Sequence, residues 1–343
     1  MKPLQLLVFF MFNVLVLNIS ISPLCAKAPT PPKILFTSAR DSNYEVYVMN
    51  PDGSEQVNLT QHRANDLGAV WSPTGEKILF ISDRGGERDL YSMNPDGSNQ
   101  RRIFRRKTKL FRKSPTWSPN GKQFAYVDVN WNTVDSTIHI ATLGEQDTVP
   151  FAKGLYPAWS PDGMEIVCTI GGQLIFIDIH TGARKLLLLE KEIHLQRFPS
   201  WSAMGDKLAF AGNNHPLPDI KGLNPQEARD LHNAWKDKQT IFIVNRDGTG
   251  LKQLVAEDGS DAWIPALSPS GDEVLYTQSV KETPHIFKFN VNSGVRTQLT
   301  HDGFRRFGNF GGDWFDPEFA LPVSPQSYFL TTWGTVKTHR LHD

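Results

Sequence analysis

The stretch AVWSPTGEKILFISD at residues 69–83 recurs as AWSPDGMEIVCTI at residues 158–170 and as SWSAMGDKLAFAG at residues 200–212. Each copy places a Trp before a short turn that reaches a Gly, and an apolar run follows. Proline presets φ in such a turn and glycine accepts a positive φ, so the apolar run is predicted to be a strand leaving a tight turn. The fold is therefore expected to repeat one β unit.

The copies recur at a nearly constant spacing. The four tryptophans that head them lie 46, 42 and 42 residues apart, at Trp71, Trp117, Trp159 and Trp201. Two degenerate copies follow, in which Leu267 and Val323 take the Trp position. A period near 40 residues is typical of propellers, solenoids and arrays. The 39% hydrophobic content and nine Trp indicate a packed globular protein, so the repetition is structural rather than low-complexity.

Each copy is predicted to form four short strands. After the apolar second strand and a polar loop, a third strand alternates apolar and polar residues and ends in an NPDG turn, as at residues 50–53 and 94–97. The six second strands are predicted to begin at Lys33, Lys77, Gln123, Glu165, Lys207 and Glu273. Short strands that cannot bury a face alone are stabilised by radial repetition. The expected fold is an all-β, six-bladed β-propeller of four-stranded antiparallel blades.

The chain enters the first blade at its second strand, so another segment must supply the first. We expect residues 319–324, FALPVS, to be this C-terminal closing strand, because closure removes an exposed edge. The first residues have the basic start, apolar run and small-residue site of a signal peptide. The expected organisation is a signal peptide at 1–26, the propeller at 27–327 and a C-terminal tail at 328–343. A retained anchor or lipid attachment at Cys25 are the alternatives.

The elements of the repeat unit, in order, are WSPDG, an apolar strand, SDR, a strand ending in MNPDG, and LT. This unit resembles the TolB-type, WD-like β-propeller repeat. The resemblance covers residues 33–324. The same repeat occurs in the non-catalytic domains of some exported and self-compartmentalising peptidases. Neither a peptidase domain nor the α/β domain that precedes the propeller in TolB itself is expected in this chain.

Residues that recur in the repeat are predicted to be structural. The tryptophans are expected to fill the gaps between blades. Asp52, Asp96 and Asp162 are expected to stabilise turns rather than bind calcium, because each lies alone between apolar strands. Cys168 lies in an apolar strand and is expected to be a core residue. The predicted structural set is Trp71, Trp117, Trp159, Trp201, Gly53, Gly75, Gly97, Gly121 and Gly163.

In a four-stranded antiparallel blade the 1–2 and 3–4 turns leave at one end, and the 2–3 and 4–1 connections leave at the other. The variable loops therefore share one face, where function tends to lie. Residues 101–113 carry eight cations and no acid, on the fourth strand of blade 2 and its 4–1 loop. They form either a solvated outer strand or a basic lobe that binds an acidic partner. The candidate binding residues there are Arg105, Arg106, Lys107, Lys109 and Arg112.

Two further segments belong to this face. In blade 5, Asn224 and Glu227 predict a capped amphipathic helix whose apolar stripe packs on the propeller. Residues 301–319 are rich in aromatic residues and glycine, and they are predicted to be a lid over the central pore or a binding loop. The remaining candidate binding residues of this face are His62, His194, His301, Arg305, Arg306 and Trp314.

Composition and motifs limit the function classes. The 36 Lys and Arg balance 36 Asp and Glu, so no overall charge favours nucleic acid or an anionic membrane. Motifs for a nucleophile elbow, a zinc protease, paired cysteines and a phosphate loop are absent from the sequence. We expect a monomeric, periplasmic or secreted, non-catalytic propeller that binds a protein or an acidic polymer without a cofactor or metal. The alternative is a propeller hydrolase or lyase acting on a carbohydrate or lactone, either without a metal or with one held by three His of the variable face.

Overall fold

The computed structural model describes residues 27–106, 110–130, 133, 135–188, 193–257, 260–303 and 307–321. Within these residues the chain forms six four-stranded antiparallel sheets. Five sheets use four consecutive strands, and the remaining sheet adds the C-terminal strand to the first three. The fold is a six-bladed β-propeller, as the repeat predicts.

The strands are numbered along the chain, and within each blade they follow in the order in which they pair. Blade 1 consists of β24 (Asn309–Phe315), β1 (Lys33–Ser38), β2 (Glu45–Met49) and β3 (Val57–Asn58). Blade 2 consists of β4 (Asp66–Trp71), β5 (Ile78–Ser82), β6 (Asp89–Met93) and β7 (Arg101–Arg102). Blade 3 consists of β8 (Phe111–Trp117), β9 (Gln123–Asn130), β10 (Asp135–Thr142) and β11 (Thr148–Lys153).

The second half of the chain continues the same order. Blade 4 consists of β12 (Leu155–Trp159), β13 (Glu165–Ile170), β14 (Gln173–Asp178) and β15 (Arg184–Leu186). Blade 5 consists of β16 (Leu195–Trp201), β17 (Lys207–Asn213), β18 (Thr240–Asn245) and β19 (Lys252–Gln253), with the helix α1 (Pro225–Lys236) between β17 and β18. Blade 6 consists of β20 (Ala262–Leu267), β21 (Glu273–Val280), β22 (Thr283–Asn290) and β23 (Arg296–Gln298).

The second strands begin where the sequence predicts. Five of the six start at the predicted residue, and β5 starts one residue later, at Ile78. All five residues of β5 are buried. These strands are continuously apolar because each is flanked by strands on both edges and by neighbouring blades on both faces.

The closing strand is β24, and the prediction of residues 319–324 was wrong. β24 pairs antiparallel with β1. Trp314 lies opposite Ile34 in this pairing, just as Trp71 lies opposite Ile78 in blade 2, so Trp314 occupies the repeat-Trp position. Trp314 is followed by Phe-Asp-Pro instead of the Ser-Pro of most other blades. The later segment LPVSP does contain Ser-Pro and therefore resembles the start of a blade more closely. The glycine-rich segment predicted to be a lid or a binding loop therefore contains the strand that closes the ring.

Six clusters of buried apolar side chains fill the gaps between neighbouring blades. Between blades 2 and 3, for example, Leu79 packs in one cluster with Trp117 and Phe124. The cluster between blades 6 and 1 joins Leu275 to Ile34, so the last interface is built like the others. Each of the four repeat tryptophans belongs to one of these clusters or packs against it.

Hydrogen bonds between blades alternate around the ring. Between blades 1 and 2, 3 and 4, and 5 and 6, the backbone amide at the repeat-Trp position donates to a polar side chain of the preceding blade. These pairs are Trp71 to Asp313 Oδ2 (2.6 Å), Trp159 to Thr116 Oγ1 (3.3 Å) and Leu267 to Ser200 Oγ (2.9 Å). Each acceptor is the residue just before the repeat-Trp position of its own blade.

At the other three junctions the same preceding position is apolar, and the indole Nε1 donates to its backbone carbonyl instead. These pairs are Trp117 to Val70 (3.4 Å), Trp201 to Ala158 (3.4 Å) and Trp314 to Ala266 (3.0 Å). Every junction thus has one hydrogen bond from the repeat-Trp position to the blade before it. A buried hydrogen bond fixes orientation as well as adding stability, so neighbouring blades are held at a defined angle.

Asp313 is the only ionisable acceptor among these six hydrogen bonds. It is partly buried and lines two cavities near the propeller axis. Burial raises the pKa of the Asp313 carboxyl to about 7, although the amides of Trp71 and Trp314 favour its ionised form. The carboxyl is therefore unusually easy to protonate in the folded protein.

The aspartates of the turns act locally, as predicted. Asp52, Asp96 and Asp162 each accept the backbone amide of the residue two positions later. Hydrogen bonds from the following serine, its hydroxyl first and its amide second, lower the pKa of Asp52 and Asp96. Asp162 is also 2.6 Å from Arg246. Cys168 is fully buried, and burial raises the pKa of its thiol to about 12, which agrees with its prediction as a core residue.

Truncating a repeat tryptophan tests the packing between blades. We expect Trp117→Ala to lower the free energy of unfolding by about 3–5 kcal/mol, because it removes a buried aromatic side chain and leaves a cavity. Trp117→Phe should cost less, since it keeps most of the packing and loses the hydrogen bond to Val70. The control is Met204→Ala, whose side chain is 77% exposed and should change stability by less than about 0.5 kcal/mol. Equal urea midpoints for Trp117→Ala and the control would contradict the assignment.

Asp313 predicts a specific dependence of stability on pH. Its pKa is about 7 in the folded chain and 3.8 for the free side chain, so its protonation favours folding. The contribution is complete below pH 3.8 and is lost as the pH rises through 7, by up to about 4 kcal/mol. Asp313→Asn keeps an oxygen for the Trp71 amide and removes the charge. Urea unfolding from pH 4 to 8 should show the variant gaining stability relative to the parent, and parallel curves would refute the assignment.

Candidate functional site

The strand order places the loops on two faces. Because all pairs within each sheet are antiparallel, the 2–3 and 4–1 connections leave at the end opposite to the 1–2 and 3–4 turns. We call the former end the variable face and the latter the turn face. Helix α1 connects the second and third strands of blade 5, and residues 103–106 follow the fourth strand of blade 2, so both belong to the variable face. Exposed loops on a rigid scaffold are where binding residues are commonly found.

Six irregularities ring the propeller axis in the first strands. In each first strand one residue adopts a left-handed conformation and the ladder register shifts beside it. These residues are Gly68, Ser114, Tyr156, Phe198, Ile264 and Gly311. Bulges of this kind re-aim side chains at rims and sites. They were not predicted from the sequence, although an X-Pro pair precedes the repeat-Trp position in four blades and marks the same place.

The bulges line an axial channel with a cavity of about 460 Å³. Arg88 and Lys113 lie in its wall together with Tyr156 and Phe198. The Lys113 ammonium is 5.7 Å from the centre of the Tyr156 ring, and the Tyr156 and Phe198 ring centres are 4.0 Å apart. Burial, and secondly the charge of Arg88, lower the pKa of Lys113. The channel wall thus combines two neighbouring cations with aromatic surface.

Two cations of the predicted basic lobe form ion pairs within the propeller. Arg112 is buried, 2.8 Å from Asp89 and 3.4 Å from Asp128. Arg102 also pairs with Asp89. The Arg112 guanidinium lies 4.1 Å from the centre of the Phe104 ring. The structure therefore places Arg112, a sequence candidate for binding, in the junction between blades 2 and 3 rather than on the surface.

Other cations of the lobe face solvent. Arg101, Arg105 and Arg106 are exposed, and none pairs with a carboxylate in the described part of the chain. The backbone of Arg105 is fixed by a hydrogen bond, in which its amide donates to Gln146 Oε1 at 2.6 Å. Arg88, in the 2–3 loop of the same blade, is also exposed and has no acidic partner among these residues. Exposed cations therefore lie over blades 2 and 3 on the variable face, beside the exposed acids Glu87 and Asp135.

The three predicted histidines do not come together. His62, His194 and His301 lie in the 4–1 connections between blades 1 and 2, 4 and 5, and 6 and 1. The Nδ1 atom of His62 accepts the amide of Ala64 at 3.0 Å. Among the described residues no three His, Cys, Asp or Glu side chains form a group that could hold a metal ion. Trp314, also a candidate, lies in the closing strand and donates to blade 6.

Some predictions fall outside the described residues. They are the signal peptide at 1–26 with Cys25, the tail at 328–343, and the residues Lys107, Lys109, Arg305, Arg306 and Val323.

Helix α1 starts as predicted but packs differently. Asn224 accepts the amides of Gln226 and Glu227, and the Glu227 side chain accepts the Asn224 amide, which completes the capping box. The prediction that its apolar stripe packs on the propeller was wrong, because the helix has no buried residue and Leu231 is 40% exposed. Its C-terminal end is anchored: Trp235 Nε1 donates to the His215 carbonyl at 2.9 Å, Asn213 donates to the Trp235 carbonyl at 2.6 Å, and Lys236 pairs with Asp261 at 3.4 Å. No helix in the described part of the chain is long and apolar enough to cross a membrane.

Comparison with solved structures finds the same architecture. The crystal structure of TolB from Acinetobacter baumannii matches 82% of this chain with a TM-score of 0.65 and 18% identity, and the match spans 66% of that chain, slightly less than two thirds. A putative TolB from Agrobacterium tumefaciens matches 83% of this chain and 92% of its own, with a TM-score of 0.57 and 18% identity. An oligogalacturonate lyase in complex with manganese matches 79% of this chain and 74% of its own, with a TM-score of 0.52 and 14% identity. At these identities the likeness concerns the fold.

Comparison with families gives a more specific result. Residues 19–110 match the family model described as the TolB beta propeller domain. A comparison with curated proteins finds no match. The matched segment includes β1 to β7, and the same strand pattern continues through the remaining blades. Residues 19–110 therefore resemble a TolB beta propeller domain, and the described chain as a whole has the six-bladed β-propeller fold.

Proposed function

We propose that this chain is a non-catalytic binding module that holds a protein or an acidic polymer on the basic part of its variable face. The observation that carries the proposal is the set of exposed cations over blades 2 and 3, Arg88, Arg105 and Arg106, which lack acidic partners in the described residues. The fold by itself hosts many functions, so it is this surface that supports the proposal.

The location of these cations supports binding rather than a solvated strand. Arg102 and Arg112 belong to the same sequence run but are neutralised by Asp89. Arg105 and Arg106 lie in the connection between blades, where no ladder partner covers them. Exposed charges of one sign raise the rate of association with an oppositely charged partner more than they raise affinity.

We propose further that the mature protein works outside the cytoplasm as a monomer. The predicted signal peptide at 1–26 supports this location. The described residues contain one Cys, so stability comes from the six packed interfaces rather than from a disulfide. Such a chain can remain folded in either redox compartment.

The enzymatic alternative is a hydrolase or lyase acting on a carbohydrate or lactone. An oligogalacturonate lyase in complex with manganese has a similar fold, which is compatible with this alternative. At 14% sequence identity, however, the similarity concerns only the fold. The metal-dependent version of this alternative would use His62, His194 and His301, which lie at three separate junctions. The binding module is therefore the better supported function.

Substitution of the rim cations tests the proposal. The double variant Arg105→Ser and Arg106→Ser should bind fluorescent poly-L-glutamate with an association rate constant about tenfold lower than the parent at low ionic strength. Added salt should weaken binding of the parent more than that of the variant, because screening removes the same attraction. Stopped-flow fluorescence measures both effects.

A matched control separates this surface from general charge. Arg184 and Lys185 are neighbouring exposed cations on β15, so the double variant Arg184→Ser and Lys185→Ser removes the same charge elsewhere. We expect this control to bind like the parent. If the control loses as much as the rim variant, or if the rim variant binds like the parent, the proposed surface is wrong.

A further inference from the structure

The residue just before each left-handed bulge occupies an equivalent position in the ring of first strands. These six residues are Leu67, Lys113, Leu155, Arg197, Trp263 and Phe310. They lie on the variable-face side of the bulges, where the axial channel opens. The repeat keeps their backbone positions equivalent, but their side chains differ greatly. The channel mouth is consequently not symmetric.

One side of the mouth is basic. Lys113 of blade 3 is partly buried in the channel wall, beside Arg88 of blade 2. Arg197 of blade 5 is exposed at the equivalent position, but blade 5 borders blade 6 and so lies on the other side of the ring. Neither Lys113 nor Arg88 pairs with a carboxylate in the part of the chain that the structure describes. Neighbouring cations without a counter-ion repel one another, and their partial burial removes water that would stabilise the charges. A bound anion would offset both the repulsion and the lost hydration.

The opposite side of the mouth is aromatic. Phe310 of blade 1 lines the cavity, and Trp263 of blade 6 stacks against Phe310 with ring centres 5.8 Å apart. Tyr44 meets Phe310 edge to face at 5.4 Å. In a ring of six blades, blade 6 lies directly across the axis from blade 3. The aromatic group therefore faces Lys113 across the channel.

We propose that the channel mouth binds a carboxylate attached to an aromatic body, with the carboxylate between Lys113 and Arg88 and the ring against Trp263 and Phe310. Charge-assisted hydrogen bonds to a carboxylate are the stronger ones in proteins, and a partly dry wall strengthens them further. Aromatic surface adds affinity through offset or edge-to-face contact. This arrangement of a few polar groups in an apolar, preformed cavity is typical of small-ligand sites.

This site is separate from the rim cations Arg105 and Arg106. Arg88 is common to both proposals, so the rim is tested with Arg105→Ser and Arg106→Ser and the channel with Lys113→Met, residues that only one of the two sites contains. Loss of poly-L-glutamate binding by the rim variant says nothing about the channel, and the rim variant should bind a channel ligand like the parent.

Calorimetric titration with N-acetyl-L-phenylalanine and its neutral amide tests the proposal in the intact chain. We expect the acid to bind at least about tenfold more tightly than the amide, because only the acid makes charge-assisted hydrogen bonds. Lys113→Met should weaken binding of the acid about tenfold and leave the amide unchanged. Equal affinity of the parent for acid and amide would overturn the proposal.

A control and a second variant guard against indirect effects. Lys153→Met removes a lysine of the same blade that is paired with Asp135 and 65% exposed, and it should bind the acid like the parent. Arg88→Gln changes an exposed loop residue and should also weaken the acid selectively, even if Lys113→Met fails to fold. If neither Arg88→Gln nor Lys113→Met affects the acid, the assignment is wrong.

The source of the carboxylate can be identified with the same variants. A short peptide ending in phenylalanine offers the same group at a free chain end, and its C-terminally amidated form removes the charge. Selective binding of the free-acid peptide points to a chain terminus as the ligand. Binding of N-acetyl-L-phenylalanine alone points to a small acid, and in both cases Lys113→Met must abolish the preference.

Discussion

Antiparallel pairing between β24 and β1 is the constraint on which the rest of the structure depends. Without it β1 would be an edge strand, and the last of the six interfaces between blades would be open on one side. With it, the cluster between blades 6 and 1 resembles the other five, and no blade is terminal. Closure by a strand from the far end of the chain also makes contacts of very long sequence separation, so the ring is completed only when both ends of the chain are ordered.

Closure gives the axial channel a fixed shape. Each repeat-Trp position holds the preceding blade by one hydrogen bond, and the donor alternates between a backbone amide and an indole nitrogen. The six bulges lie a few residues before these positions, and they point different side chains into the channel. A rigid ring with variable side chains at equivalent places is what allows a basic side and an aromatic side to face each other.

Much of this fold could be predicted from the sequence because its signals are local. The spacing of the tryptophans and the Ser-Pro turns indicates the blades, and five of the six second strands begin at the predicted residue. The closing strand was misplaced because Trp314 lacks the usual Ser-Pro, and only its pairing with Ile34 identifies it. Arg112 was assigned to the surface because its partners Asp89 and Asp128 are 23 and 16 residues away in sequence. The channel mouth combines residues from all six blades, so no local pattern could reveal it.

The most direct test of this account is hydrogen exchange of the backbone amides in β1, measured by mass spectrometry. In an antiparallel ladder successive amides point to opposite neighbours, so a strand paired on both sides protects nearly all of them. The account predicts that the peptide containing Lys33–Ser38 is protected as strongly as the peptide containing Ile78–Ser82, the equivalent strand of blade 2. If about half of the β1 amides exchange as fast as those of an exposed turn, β24 does not close the ring, and the account is contradicted.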